Sequence, residues 1–360
     1  MSIAIRHGDC RDVLRTMPDH SVHCCVTSPP YFGLRDYGTA KWDGGDSRCD
    51  HLAGSDYQTK NDTNAGAIRG GPFKSHCGKC GATRIDSQIG LEATPDAFVV
   101  EMVSVFREVR RVLRDDGTLW LNLGDSYAGG GGYSPGSPSN QNGGSLSSRQ
   151  DDGTGAKPAG IRVPHGLKPK DLIGIPWRVA FALRADGWYL RQDIIWSKPN
   201  PMPESVTDRC TKAHEYIFLL SKSARYYYDT AAIAEPTVYD QRLVRINSPK
   251  NIALGLKPTR EYDHVLEGGR NKRSVWEVAT QPFSEAHFAT FPPALIEPCI
   301  KAGCPIGGTV LDPFAGAGTT GLVADRLQRS AILIELNPDY TAMSDRRLRD
   351  DAGLFAEVSS

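Results

Sequence analysis

Leu311-Asp312-Pro313-Phe314-Ala315-Gly316-Ala317-Gly318-Thr319-Thr320 is the stretch on which the reading of this chain turns. It leaves a short apolar run at 309–311 and opens a helical pattern at 318–327, after which 331–335 reads as a second strand. Glycines at such a strand-to-helix turn let the backbone approach a ligand where a Cβ would collide. Glu335 ends the following strand, about 20 residues on, where an acidic side chain can take the hydroxyls of a ribose. A pair of glycines alone fits a tight turn equally well. The full string Asp-Pro-Phe-x-Gly-x-Gly, with an acidic strand end behind it, is more specific. No GxxxxGK[ST] string occurs, which disfavours a nucleoside triphosphate site.

Outward from this unit the pattern is α/β throughout. Residues 291–302 read as a helix before the first strand of the unit. Upstream, 22–27 reads as a buried strand ending at Ser28-Pro29-Pro30-Tyr31. Residues 94–114 read as a helix, with Thr94 as cap, Pro95 in the first turn, and Phe98, Met102, Val105, Phe106, Val109 and Leu113 at helical spacing. Asp116-Gly117 then turns the chain into a strand at 118–123. A helix at 176–185 and strands at 189–196 and 215–221 follow. Continuous apolar strands alternating with helices predict a doubly wound, mostly parallel sheet covered on both faces.

Two stretches lack this pattern and read as insertions. Residues 42–84 carry three cysteines and no periodic apolar residues. Residues 128–170 are dominated by Gly, Ser, Asn and Pro and predict a mobile loop, since they bury too little apolar surface to offset chain entropy. Lys plus Arg equals Asp plus Glu, 42 of each, so net charge gives no argument for a nucleic-acid partner. Such a partner would need a local basic face. No apolar run approaches the ~20 residues of a membrane-spanning helix, and the N-terminus has no signal-peptide pattern. A cytoplasmic protein with no membrane partner is expected.

Nine cysteines without an export signal argue against disulfides and for metal ligation where spacings are short. Cys49-Asp50-His51 and Cys77-Gly78-Lys79-Cys80-Gly81 supply such spacings. A C-x-x-C-G knuckle bends two sulfurs toward one ion, and Cys49 with His51 completes a tetrahedral structural zinc site. His76 is a spare ligand that can replace His51. Three unrelated loop thiols are the alternative, but they leave unexplained why a coreless insertion concentrates them. Cys24 and Cys25 lie inside an apolar strand and read as small core residues.

In Ser28-Pro29-Pro30-Tyr31 two consecutive prolines fix the backbone and remove two N–H donors. Neighbouring carbonyls are then left as acceptors, which suits a bound amino group, and Tyr31 offers a face for a flat heterocycle. A rigid Pro-Pro turn with Tyr31 merely packed is the bland alternative.

Together these strings resemble the DNA amino-methyltransferases that act on cytosine N4 or adenine N6. The order, catalytic tetrapeptide early and cofactor loop late, is similar to their permuted beta class. The resemblance implies a seven-stranded Rossmann-like methyltransferase sheet that binds S-adenosyl-L-methionine and acts on double-stranded DNA. The core would comprise 1–41, 85–127, 171–235 and 274–348, with a zinc-binding insertion at 42–84 and a target-recognition region at 236–273. Ser28, Pro29, Pro30 and Tyr31 take the target base by this resemblance. Asp312, Pro313, Phe314, Gly316, Gly318, Thr319 and Thr320, with Thr27, Glu335 and Asn337, take the cofactor. His7-Gly8-Asp9-Cys10 resembles the segment whose Asp contacts the cofactor adenine, with Cys10 beside it. Residues 212–217 resemble a late catalytic-domain strand. Residues 286–292, with His287 and Phe288, resemble the segment that closes over the methionine end.

Ser at the first tetrapeptide position is mostly found in cytosine-N4 members and Asp mostly in adenine-N6 members, so cytosine N4 is expected and adenine N6 is the alternative. Methylation of RNA or of a protein amide, and a non-catalytic zinc-containing DNA-binding protein, are the competing readings. Residues 240–273 hold eight Lys or Arg against four Asp or Glu. Their place in the chain assigns Arg242, Arg245, Lys250, Arg260, Arg270 and Arg273 to DNA contacts; a solvated basic loop is the alternative. The resemblance also leaves room for a homodimer and a cognate restriction nuclease as partners.

Overall fold

The structure, a computed structural model, describes residues 1–33, 37, 39–51, 76–128, 166–236, 269–281, 291–352 and 357–359. His287, Phe288, Arg242, Arg245, Lys250, Arg260 and most of the Gly/Ser-rich stretch lie outside them.

Among the described residues the chain runs β1 (Ser2–His7), α1 (Cys10–Arg15), β2 (Val22–Thr27), β3 (Lys41–Asp43), β4 (Thr83–Ile85), α2 (Pro95–Val112) and β5 (Leu113–Leu123). Then come α3 (Ile175–Ala185), β6 (Tyr189–Ser197), β7 (His214–Ser221), β8 (Val275–Glu277), α4 (Pro293–Gly303), β9 (Thr309–Asp312), α5 (Thr319–Arg326), β10 (Ser330–Glu335), α6 (Pro338–Ala352) and β11 (Glu357–Ser359). Helix α2 begins as its residues dictate. Thr94 is extended, its hydroxyl accepts from the Ala97 N–H at 3.1 Å, and Pro95 occupies the first turn, where its missing N–H costs nothing.

One sheet has the order β11-β1-β10-β9-β2-β5-β7-β6-β8. Six of its seven central strands are those the sequence pattern predicts and β1 is the seventh; three-residue strands β8 and β11 extend the edges. The pairings are parallel except around β7, which is antiparallel to both β5 and β6. The pleat sends alternate residues of one strand to opposite faces. Cys25, Leu119, Leu121 and Phe218 join a core under α1, α2 and α3. Cys24, Trp120, Ile217 and Leu219 join a second core under α4, α5 and α6.

Asp116-Gly117, read from sequence as the turn before a strand, is instead part of a wide bulge inside β5. Val22 pairs with Leu113, yet Cys24 pairs with Thr118. A Cβ on Gly117 would sit 2.9 Å from the Arg114 carbonyl oxygen, which confines that position to glycine. The edge side of the sheet, β1, and the closing helix α6 are not evident in the sequence pattern; β1 offers only the alternation of Ile3 and Ile5.

From β9 the chain passes through α5 to β10 on one side; from β2 it passes through α2 to β5 on the other. Strand order therefore reverses between β9 and β2, and a crevice opens at their carboxyl ends, the usual ligand position in such sheets. No described helix is long and apolar enough to cross a membrane.

Candidate active site

The two motifs read from the sequence meet at that crevice. Cys25 of β2 is in register with Leu311 of β9. Two residues beyond Cys25 and one beyond Leu311, the side chains are bonded: the Thr27 hydroxyl donates to Asp312 Oδ1 at 2.6 Å. Asp312 also accepts from the Phe314 N–H at 3.0 Å and from the Thr320 hydroxyl at 2.5 Å. This fully buried carboxylate ties the Ser-Pro-Pro-Tyr turn to the glycine loop. Burial pushes its carboxyl up to about 6, because desolvation outweighs the three donors that hold the charged form.

That shift has a consequence for stability. A carboxyl raised from 3.8 to about 6 on folding binds more protons in the native state than in the unfolded chain across that window. Its contribution is thus fully present below the unfolded value and is lost as pH rises to about 6. Asp312→Asn keeps the Thr27 acceptor, and the Thr320 hydroxyl can turn toward the Val26 carbonyl 3.4 Å away. The difference in Tm, variant minus wild type, is expected to grow by roughly 2–6 °C between pH 4 and pH 7 in thermal melts. A constant difference would show that Asp312 is not the titrating group.

The glycine loop divides its labour. Gly316 has φ +51° and open space where a Cβ would stand, so it borders the crevice. Gly318 has φ +74° and faces α6 instead, where a Cβ would meet Ser344 Oγ at 2.9 Å. Ser344 donates to the Gly316 carbonyl at 2.7 Å, and Arg347 donates to the Ala317 carbonyl and to the Thr319 hydroxyl, each at 2.9 Å. Thr319 and Thr320 are therefore directed into the protein, Pro313 is buried, and Phe314 packs on the α1–α3 core.

At the end of β10, Glu335 accepts from the Gly316 N–H through one oxygen and from the Asn337 N–H through the other, both at 2.8 Å. Each oxygen keeps a lone-pair site for a further donor. Burial raises this carboxyl above its ordinary value. Asn337 Nδ2 donates to the Tyr37 carbonyl at 3.1 Å. On the neighbouring strand His7 is in register with Glu335, which sets Asp9 on the same rim. Asp9 caps α1 and holds the Arg11 guanidinium through both oxygens, at 2.5 and 2.9 Å. Burial pulls its carboxyl up, and the Arg11 hydrogen bonds and charge bring it below the ordinary range. The Cys10 thiol points into the core.

Across the crevice Pro29 is buried and Ser28 and Pro30 are half-buried. The Tyr31 hydroxyl donates to Glu215 Oε2 at 2.7 Å, with Asn122 Oδ1 a more distant 3.3 Å. Lys198 Nζ binds the other Glu215 oxygen, and Asn122 Nδ2 donates to Glu215 at 3.3 Å. Burial, and then the Glu215 charge, push the Tyr31 phenol well above its ordinary value, so it stays a donor. Lys198 and Asn122 carry no sequence signal of their own. Their importance comes from four strand ends, β2, β5, β6 and β7, converging on one carboxylate.

The cysteine cluster also assembles. The ligand atoms of Cys49, His51, Cys77 and Cys80 lie within 4.8 Å of one another. Cys49 and Cys77 sulfurs are 3.7 Å apart, and Cys80 Sγ is 3.6 Å from His51 Nδ1. Tetrahedral zinc with Zn–S about 2.3 Å and Zn–N about 2.0–2.1 Å requires edges of about 3.8 Å for S···S and about 3.6 Å for S···N. The donor set fits the ion. Trp42 stacks on the His51 ring at 4.5 Å, and the β3–β4 pair carries the cluster. His76 instead forms a bridge with Thr83. Arg270 and Arg273 converge on Glu235, with contacts of 3.1 and 2.9 Å.

A sheet that reverses order at a glycine loop, with an acidic strand end and a Ser-Pro-Pro-Tyr turn bonded to that loop, defines a methyltransferase of the amino-methylating type. The family model for DNA methylase, N6_N4_Mtase, matches residues 22–346, and the chain belongs to that family. Among its relatives are the Type II methyltransferases M.Cfr9I of Citrobacter freundii, 42% identical over 96% of this chain and 87% of its own, and M.SmaI of Serratia marcescens, 40% identical over 95% and 89%. The fold is shared with the PvuII cytosine-N4-specific DNA methyltransferase, at TM-score 0.53 and 17% identity over 96% of this chain and 87% of that one. It is also shared with TTHA0409 of Thermus thermophilus, a putative DNA modification methylase, at TM-score 0.52 and 22% identity over 99% and 100%.

Proposed function

We propose that this DNA methyltransferase transfers the methyl group of S-adenosylmethionine to cytosine N4 of a base flipped out of duplex DNA. The observation that carries this reading is the Thr27–Asp312 bond, which sets the Ser-Pro-Pro-Tyr turn beside the open Gly316 loop. The cofactor, when bound, supplies an electrophilic methyl. Glu335 has acceptor sites left for ribose hydroxyls, and Gly316 leaves room for the backbone to approach.

The chain's own work is on the acceptor. An exocyclic amine is a weak nucleophile because its lone pair is delocalised into the ring. The Ser28 hydroxyl and the Pro29 carbonyl accept its two hydrogens, which localises the lone pair and aims it. Held at the Gly316 loop and Glu335, the cofactor would supply a methyl whose bonding electrons return to sulfur, and the amine held by Ser28 and Pro29 would lose one proton to solvent. Extracting the base costs a few kcal/mol, offset by stacking in the pocket. Ser28 in place of an acidic residue favours cytosine.

Incubation with S-adenosylmethionine and unmethylated duplex DNA, followed by nucleoside mass spectrometry, is expected to yield N4-methylcytosine. N6-methyladenine would retain the family and overturn the base; no methylated nucleoside would overturn the reading. We also propose that Cys49, His51, Cys77 and Cys80 hold one structural zinc ion. Four protein ligands leave no open position for chemistry on it.

A further inference from the structure

Resting on the reading that Glu335 takes the cofactor's ribose hydroxyls, we propose that Gln88 is a positioning residue for that carboxylate. It belongs to a strap, residues 85–92, that leaves β4 and the Cys/His cluster and braces the cofactor side of the crevice. Glu335 is aimed by two N–H groups, those of Gly316 in the loop and of Asn337, each at 2.8 Å. The Asn337 side chain is itself fixed. Its Oδ1 accepts from the Asp339 N–H at 2.8 Å at the start of α6, which leaves Nδ2 to donate to the Tyr37 carbonyl at 3.1 Å. The Tyr37 N–H donates in turn to Gln88 Oε1 at 2.7 Å. The backbone of Tyr37 is thus clamped between Gln88 and Asn337, and a line of hydrogen bonds runs from the strap to Glu335.

The strap is anchored along its length. Gln88 is buried, and its own N–H donates to Asp86 Oδ1 at 3.1 Å. Asp86 also accepts from the Thr39 hydroxyl at 3.1 Å and from Arg84 at 2.8 Å. One residue before Gln88, the Ser87 carbonyl accepts from Arg11 at 3.1 Å. That guanidinium holds Asp9 on the same rim and Glu101 of α2, the latter at 2.7 Å. Two residues after Gln88, Gly90 has φ +103°, and a Cβ there would stand 3.1 Å from the Tyr31 carbonyl oxygen. The strap therefore reaches both acidic residues of the rim through intermediaries, Asp9 through Arg11 and Glu335 through Tyr37 and Asn337. A half-buried N–H deprived of its acceptor must shift to find another. A shift of Tyr37 pulls on the Asn337 amide, and with it on the N–H that aims Glu335.

The test is calorimetric binding of S-adenosylhomocysteine, the cofactor without its methyl, to the full chain, with thermal melting as the folding control. Gln88→Met keeps the bulk and removes the acceptor, and is expected to weaken binding about 5- to 30-fold. The single-turnover methylation rate at saturating cofactor and the KM for DNA should stay within about 2-fold, a split that general loosening of the fold would not give. Coupling is reciprocal, so the wild-type protein supplies a second readout: S-adenosylhomocysteine should slow hydrogen exchange at the Tyr37 amide and at 86–90. Glu335→Ala is expected to weaken binding more than Gln88→Met does. Wild-type affinity in Glu335→Ala would remove the ribose role and the strap's role with it. Weakened binding in Glu335→Ala beside unchanged affinity in Gln88→Met, or exchange at 37 and 86–90 indifferent to the ligand, would overturn the strap alone.

Discussion

Ser28→Ala is expected to cut turnover about 100- to 1000-fold while cofactor affinity stays within a factor of two, the size of loss seen when one preorganised hydrogen-bonding group is removed from an active site. The asymmetry follows from where the residue sits. Thr27, one position earlier, carries the link to Asp312 and so to the glycine loop. Ser28 itself is half-buried beyond that link. Removing its hydroxyl leaves the Thr27–Asp312–Thr320 cluster untouched, so the cofactor side of the crevice keeps its shape. The amine loses one of its two acceptors, and its lone pair returns toward the ring. Rapid-quench turnover and isothermal calorimetry separate the two effects. A parallel loss of cofactor affinity would mean that Ser28 acts by holding the loop and not by holding the base.

Loss of the proposed zinc ion is expected to have the second large effect. The protein is expected to purify with one equivalent of zinc, and cobalt substitution to give thiolate charge-transfer bands. Stripping the ion forfeits a binding energy that reaches about 10–16 kcal/mol in isolated zinc-finger peptides, far more than the short β3–β4 pair can supply. The loss should travel. The arm leaving β4 is latched to the segment that follows Tyr31: the Gly33 N–H donates to the Gly90 carbonyl at 2.8 Å, and the Tyr37 N–H to Gln88 Oε1 at 2.7 Å. Thr39 bonds Asp86 at 3.1 Å, and Asn337 reaches the Tyr37 carbonyl. Faster hydrogen exchange is therefore expected at 76–90 and 31–39 in the chelated protein, while the α2 and β5 amides stay protected. Absence of bound metal, together with unchanged exchange in a Cys77→Ser/Cys80→Ser variant, would refute the site.

Much of this protein is written in contiguous residues. The apolar run at 22–27, the Pro-Pro turn, the spaced apolar stripe of α2 and the strand–Gly–helix unit at 309–335 each follow from local backbone chemistry. They were enough to place the family and the two motifs that meet in the crevice. The pairing of Cys49 and His51 with Cys77 and Cys80 was equally legible, because a metal needs a small and recognisable donor set.

The tertiary structure decided how those pieces act on one another. Strand order is not a local property, so β7 running against its neighbours and the bulge in β5 emerge only when the sheet is assembled. The same holds for Asp312, whose motif suggests a cofactor contact but whose carboxylate joins Thr27 to Thr320. Gly316 and Gly318 look alike in sequence, yet one borders open space and the other packs on α6. Lys198, Asn122 and Glu215 are ordinary polar residues at the ends of three strands. They become one network because β5, β7 and β6 are neighbours in space, with β2 beside them to bring Tyr31. Sequence specifies what each segment can form; only the order in which the strands pair specifies which side chains share a carboxylate.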